Sequence, residues 1–222
     1  MIGGNNGYIE GVVFMPINQQ TMAELVDKDP GWGAIIHVGP SIAADSIAGI
    51  AFGSRVTGVS RSESDYDLGV IVPRAPELVR TIRMERIMQG KTQLPVHIFW
   101  MTPEGIAWKQ PLDIAVYNLV HRGILLWGTL GPWWKPMTLS NEGIADILRT
   151  VESLTDENDW TDLSPKVARY AWHLLAYTRL ALGQTMDEPL APQTLDNRSW
   201  ATAIQNEWHL LHDHLNKSGA PV

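Results

Sequence analysis

The chain of 222 residues contains no cysteine, which excludes both a disulfide framework and a thiolate metal site. It also lacks any apolar run long enough to span a bilayer, so no membrane partner is expected. The opening MIGGNNGYIEG has neither the basic start nor the apolar centre of a secretory leader, and a cytoplasmic location is the resulting expectation. Repeats and low-complexity tracts are missing as well. A basic excess is missing too: the formal net charge is −7, which argues against a nucleic-acid partner. The local cluster Arg80, Arg83 and Arg86 is read as a solvated helix face. What remains is an ordinary globular composition, except for ten tryptophans, most of them expected at helix interfaces.

The most informative stretch is IAGIAFGSRVTGVSRSESDYDLGVIV. An apolar strand, Ile47 to Phe52, runs into Gly53-Ser54. After ten intervening residues Asp65 and Asp67 open a second strand, Asp67 to Val72. Strand side chains alternate, so Asp65 and Asp67 project to the same side. Two carboxylates at that spacing can share divalent cations, which prefer hard oxygen ligands. Small residues and free backbone N–H groups after Gly53 can approach phosphates closely. The combination suits nucleotidyl transfer from a metal–nucleotide complex.

Elsewhere the pattern gives a first strand-like YIEGVVFMPI and a helix from Met22 to Val26, interrupted by Pro30. Residues 34–45 read as a helix broken near Gly39-Pro40. Ala75 to Met88 reads as a helix with Leu78, Ile82 and Ile87 inward and Gly90 as its stop. Leu94 to Met101 is a third strand, with Val96, Ile98 and Trp100 on one face and His97, Phe99 and Met101 on the other. Residues 103–122 read as one helix, and ILLWG as a short strand or turn. TLGPWWKPM is the linker candidate. Three helices follow: one capped by Asn141, one from Ser164-Pro165 to Gly183, and one from Ser199 to Asn216. The fold class is α+β, a small mixed sheet with flanking helices over residues 1–130, followed by a helical bundle over 136–222.

FGSRVTGVSRSESDYDLGVIV resembles the G-S-x10-D-x-D signature of the DNA polymerase β-like nucleotidyltransferase superfamily, with the minimal and aminoglycoside-type members nearest. LPVHIFWMTPEG is similar to that family's third strand, DIAVYNLVHRGILLWG to the segment closing its catalytic domain, and RYAWHLLAYTRLALGQ to a C-terminal helix of antibiotic-modifying members. The resemblance implies Mg²⁺ on Asp65 and Asp67, with ATP or another NTP as co-substrate. Gly53, Ser54 and the backbone at Arg55 would contact its phosphates, and Ser64 and Ser62 are further phosphate candidates. It further implies transfer of AMP to a hydroxyl of a small-molecule acceptor such as an aminoglycoside-like antibiotic. Two alternatives stand beside this one: AMP transfer to a helical toxin partner in a toxin–antitoxin pair, or a nucleotide-binding domain whose chemistry has decayed.

One departure from the family pattern stands out. Its third carboxylate falls on His97, which either ligates metal, receives the acceptor's proton, or marks a lost ligand. Glu104, Glu142, Glu152, Asp156 and Glu157 are the possible substitutes. Arg55 and Arg61 either neutralise triphosphate or lie on the surface. The His209, His212, Asp213 and His214 run reads as a solvated helix end, and Arg169 with His173 as part of a packed helix.

Overall fold

A computed structural model of the chain describes residues 21–57, 60, 62–154, 163–183 and 197–219. The expected strand YIEGVVFMPI lies outside these residues, as do Arg61, Asp156 and Glu157. Among the described residues four strands form one mixed sheet: β1 (Ala48–Phe52), β2 (Tyr66–Ile71), β3 (Val96–Met101) and β4 (Ile124–Gly128), in the order β3-β2-β1-β4. β1 runs antiparallel to both β2 and β4, while β2 and β3 are parallel. This is the α+β architecture that the sequence implies.

Helices cover both faces of the sheet. On one side lie α1 (Met22–Lys28), α2 (Pro30–Ile42) and α4 (Leu78–Thr92). Their Leu25, Trp32, Ile35, Met84 and Met88 pack on Ala51, Leu68, Val70, Val96 and Ile98. On the other side α5 (Pro103–Lys109) and α6 (Ile114–Arg122) set Ile106, Val116, Leu119 and Val120 against Ile50, Phe52 and Ile71. A four-residue helix, α3 (Ser54–Thr57), follows β1 directly. The remaining helices α7 (Asn141–Ser153), α8 (Pro165–Ala181) and α9 (Asn197–Ser218) share a separate core built on Ile144, Leu148, Leu175, Ile204 and Leu211. Ile114 and Tyr117 of α6 join that core too.

Several local expectations need correction. Pro30 does end α1, but it also starts α2, where Asp29 serves as N-cap. α2 then continues through Gly39-Pro40. Gly39 is there for room rather than to stop the helix: a Cβ on it would sit 2.6 Å from the Trp127 ring. The inward residues of α4 are Met84 and Met88, whereas Leu78 and Ile82 are exposed. α4 also runs past Gly90 and stops at Gln93, in left-handed backbone at φ 62°. The single helix expected over 103–122 is two, because Pro111 breaks it and Asp113 accepts from the N–H groups of Ala115 and Val116 to start α6. The cap of α7 is Ser140, whose Oγ accepts from Gly143 N, not Asn141. α8 starts at Ser164-Pro165 as expected. No helix among the described residues is long and apolar enough to cross a membrane.

Candidate active site

The site begins where β1 ends. Gly53 adopts φ +78°, a conformation that costs an L side chain about 1 kcal/mol or more, and it turns the chain into α3. In the β1–β2 ladder Phe52 is the partner of Asp67, so this turn lies against the head of β2. The fit is tight: a Cβ on Gly53 would stand 2.0 Å from Asp67 Oδ2. Gly53→Ala is therefore expected to displace the Asp67 carboxylate. Metal-dependent nucleotide turnover should drop by at least about tenfold, with a modest loss in melting temperature; unchanged turnover would show that the contact is unimportant.

Alternation along β2 puts Asp67 on the same face as Gly69 and Ile71, the face covered by α6. The parallel partner of Asp67 on β3 is His97. His97 shares its face with Phe99 and Met101, as the strand pattern implies. One ligand atom each from Asp65, Asp67 and His97 lies within 4.8 Å of the others. His97 Nδ1 is 3.2 Å from Asp65 Oδ2, with both side chains well exposed. Asp67 sits deeper. Burial, and then the charge of Asp65, pushes its carboxyl up to about 7, with His97 pulling the other way. Two hard carboxylate oxygens and an imidazole in one cluster, with a carboxyl strained by its neighbour's charge, fit a divalent cation.

The structure brings together Asp65, Asp67, His97 and the Gly53-Ser54 turn. The Arg55 backbone follows that turn directly in α3, while its side chain is committed to other partners. The Arg55 guanidinium is nearly buried and bonded to Asp29 Oδ2 at 2.5 Å, to the Ser62 carbonyl at 3.0 Å and, through Nε and Nη2, to the Ser64 carbonyl at 2.9 and 2.7 Å. Its Cζ also lies 4.3 Å from the centroid of the Tyr66 ring. The Tyr66 hydroxyl donates to Asp29 Oδ1 at 2.6 Å, and burial followed by that bond raises its pKa. Arg55 thus clamps the 62–66 segment, on which Asp65 is carried, to the start of α2. Ser64 enters this clamp through its carbonyl.

Sequence reasoning missed Asp29 and Tyr66. The Asp29-Pro30 pair does carry a helix-start signal, but nothing local reveals a partner 26 residues away. Glu104, Glu142 and Glu152 join no cluster with the aspartates among the described residues. His212 stacks on Trp208 at 4.7 Å and pairs with Asn216, in keeping with a helix-end role rather than a metal site. His173 is packed into α8, where burial, and then Arg169, lower its pKa. On the Asp67 face a cavity of about 170 Å³ is lined by Phe52, Phe99, Met101, Lys109 and Asp113.

No curated protein matches the chain. Among solved structures, a toxin–antitoxin with AMP-PNP is similar over 44% of this chain and 73% of its own, at 18% identity and TM-score 0.36. Spectinomycin adenyltransferase AAD(9) from Enterococcus faecialis, with ATP and spectinomycin, is similar over 89% of this chain and 98% of its own, at 12% identity and TM-score 0.47. Likenesses this slight carry no activity across. The family model of the nucleotidyltransferase domain matches residues 46–120, from the start of β1 through most of α6. That span contains the Gly53 turn, both aspartates and His97, and the chain carries a nucleotidyltransferase domain.

Proposed function

We propose that the protein transfers a nucleoside monophosphate, AMP from ATP, to a hydroxyl of a small-molecule acceptor, with Asp65 and Asp67 holding Mg²⁺. The observation that carries this reading is the Asp65, Asp67 and His97 cluster set against the Gly53 turn. A cation held there supplies charge neutralisation of the triphosphate and acidifies the acceptor hydroxyl.

The side chains define the rest. Asp67, fixed by its ladder position opposite Phe52, would hold the cation together with Asp65. The backbone at Gly53 and Ser54 cradles phosphate oxygens. The acceptor oxygen attacks the α-phosphorus, the bond to the bridging oxygen of pyrophosphate breaks, and the hydroxyl proton passes to the exposed imidazole of His97. Positioning and electrostatics account for the rate.

The carboxylates and the overall charge of −7 favour a cationic acceptor, such as an aminoglycoside-like antibiotic, which would make the protein a resistance determinant. The direct test incubates the protein with ATP, Mg²⁺ and a panel of aminoglycosides and lincosamides. A mass increase of one AMP on an acceptor, with pyrophosphate released, is the expected result. No adduct and no pyrophosphate with any member would defeat the small-acceptor reading.

A further inference from the structure

The structure holds a buried cation that the site described above leaves without a task. Arg122 closes α6 and is only 7% exposed. Among the described residues it has no carboxylate and no hydrogen-bond acceptor; its Cζ lies 5.0 Å from the centroid of the Tyr177 ring of α8. Other buried arginines are matched: Arg55 has Asp29, and Arg179 reaches both oxygens of Glu207 at 2.8 Å. A guanidinium taken out of water is costly without an anion, and a ring face returns only part of that cost.

Its location is equally specific. Ile124, which pairs with Ala51 at the end of the antiparallel β1–β4 ladder, follows Arg122 by two residues. Gly123 between them is pressed close to β1, since a Cβ there would stand 2.5 Å from Ile50 Cγ2. The Tyr177 hydroxyl meets Thr57 Oγ1 at 3.2 Å, and Thr57 ends the short helix that begins at Ser54. One turn earlier on α8, His173 keeps a buried Nε2 without a partner, and its ring lies 6.0 Å from that of Tyr177. Thus an unmatched guanidinium and an unmatched ring nitrogen lie around Tyr177, whose hydroxyl meets Thr57, and Thr57 Oγ1 in turn donates to the Gly53 carbonyl at 3.2 Å.

From this geometry we infer that Arg122 is the polyphosphate anchor of the site, exchanging the Tyr177 ring for phosphate oxygens of the incoming nucleotide, with His173 as a second donor. The inference rests on the nucleotidyl-transfer reading and supplies what Arg55, committed to Asp29, does not. Guanidinium suits the task because its planar fork meets two phosphate oxygens at once. Recognition falls on the β- and γ-phosphates, so inorganic pyrophosphate should bind at this place, whereas AMP should gain nothing from it.

The experiment titrates full-length wild-type protein and Arg122→Gln with pyrophosphate, ATP and AMP, each with Mg²⁺, by calorimetry. Arg122→Gln should weaken pyrophosphate and ATP by about tenfold or more and leave AMP unchanged. Equal affinity of the two proteins for pyrophosphate overturns the inference while leaving nucleotidyl transfer intact. Equal weakening of all three ligands shows a merely structural role and also overturns it. Should the wild type bind neither ATP nor pyrophosphate, the parent reading fails with it. If Arg122→Gln does not fold, the Arg122 Nε–Hε signal of ¹⁵N-labelled wild type decides: pyrophosphate should shift it, and an unmoved signal overturns the assignment.

Discussion

Asp67→Asn is expected to give a protein that melts higher than its parent at pH 8 and has lost nearly all turnover. In the folded chain the Asp67 carboxyl holds its proton up to about 7, against 3.8 for the free group, because burial and Asp65 both oppose its charge. Between these values the folded state binds more protons than the unfolded state, so this group's contribution to stability falls as pH rises through that window. At one pKa unit per about 1.4 kcal/mol the penalty above pH 7 is at most on the order of 4 kcal/mol. The amide carries no charge and escapes it. The gain in melting temperature should therefore be clear at pH 8 and vanish near pH 4.

A divalent cation relieves the same repulsion in the parent. Mg²⁺ should raise the parent's melting temperature more at pH 8 than at pH 5, with proton release on binding, and should do nothing for Asp67→Asn. Turnover in the variant should drop on the order of 10³-fold, the equivalent of the several kcal/mol that metal stabilisation supplies. Scanning calorimetry at three pH values with and without Mg²⁺ checks the first part, and pyrophosphate release the second. A variant that keeps a Mg²⁺-dependent melting shift would remove Asp67 from the cation's ligands.

Arg55→Met should destabilise the fold by roughly 3–5 kcal/mol, as expected when one member of a buried ion pair is removed and the other remains. Asp29 would keep its bonds from Gly31 N and the Tyr66 hydroxyl, but its second oxygen would face no cation. Two carbonyls, of Ser62 and Ser64, would lose their donors as well. Arg55→Lys should recover little, since an ammonium cannot span a carboxylate and two carbonyls in one plane. The loosened 62–66 segment carries Asp65, so turnover should fall together with stability. Urea unfolding measures the effect; a loss under about 1 kcal/mol, the range of a surface change, would show that the clamp contributes little.

β1, β2 and β3 were readable from sequence to within a residue or two because each is short, apolar and bounded by Gly, Pro or a polar turn. The approach of Asp65 to Asp67 was readable from their spacing of two, although Asp65 lies just before β2 begins. Less was readable wherever a distant group decides the outcome. Gly39 looks like a helix stop until Trp127, 88 positions later, takes the space its missing side chain leaves. Leu78 and Ile82 look like an inward face, yet the sheet selects Met84 and Met88, whose unbranched chains adapt to its surface. Arg55 sits inside the signature, and its side-chain partner Asp29 lies upstream, where nothing local points to it. Asn141 and Ser140 are equally plausible caps by type, and only the backbone decides between them.

α6 gives the architecture a property that composition hides. Val116, Leu119 and Val120 belong to the sheet, while Ile114 and Tyr117 belong to the bundle, and Tyr117 reaches the Ala181 carbonyl with its hydroxyl. The proline- and glycine-rich stretch after it is also occupied: Leu130, Trp133 and Trp134 rest on the sheet side, and Leu139 enters the bundle. A seam visible along the chain is thus a weld in space. Exchanging the bundle for another, as one would swap a specificity module, would have to carry one side of α6 along with it.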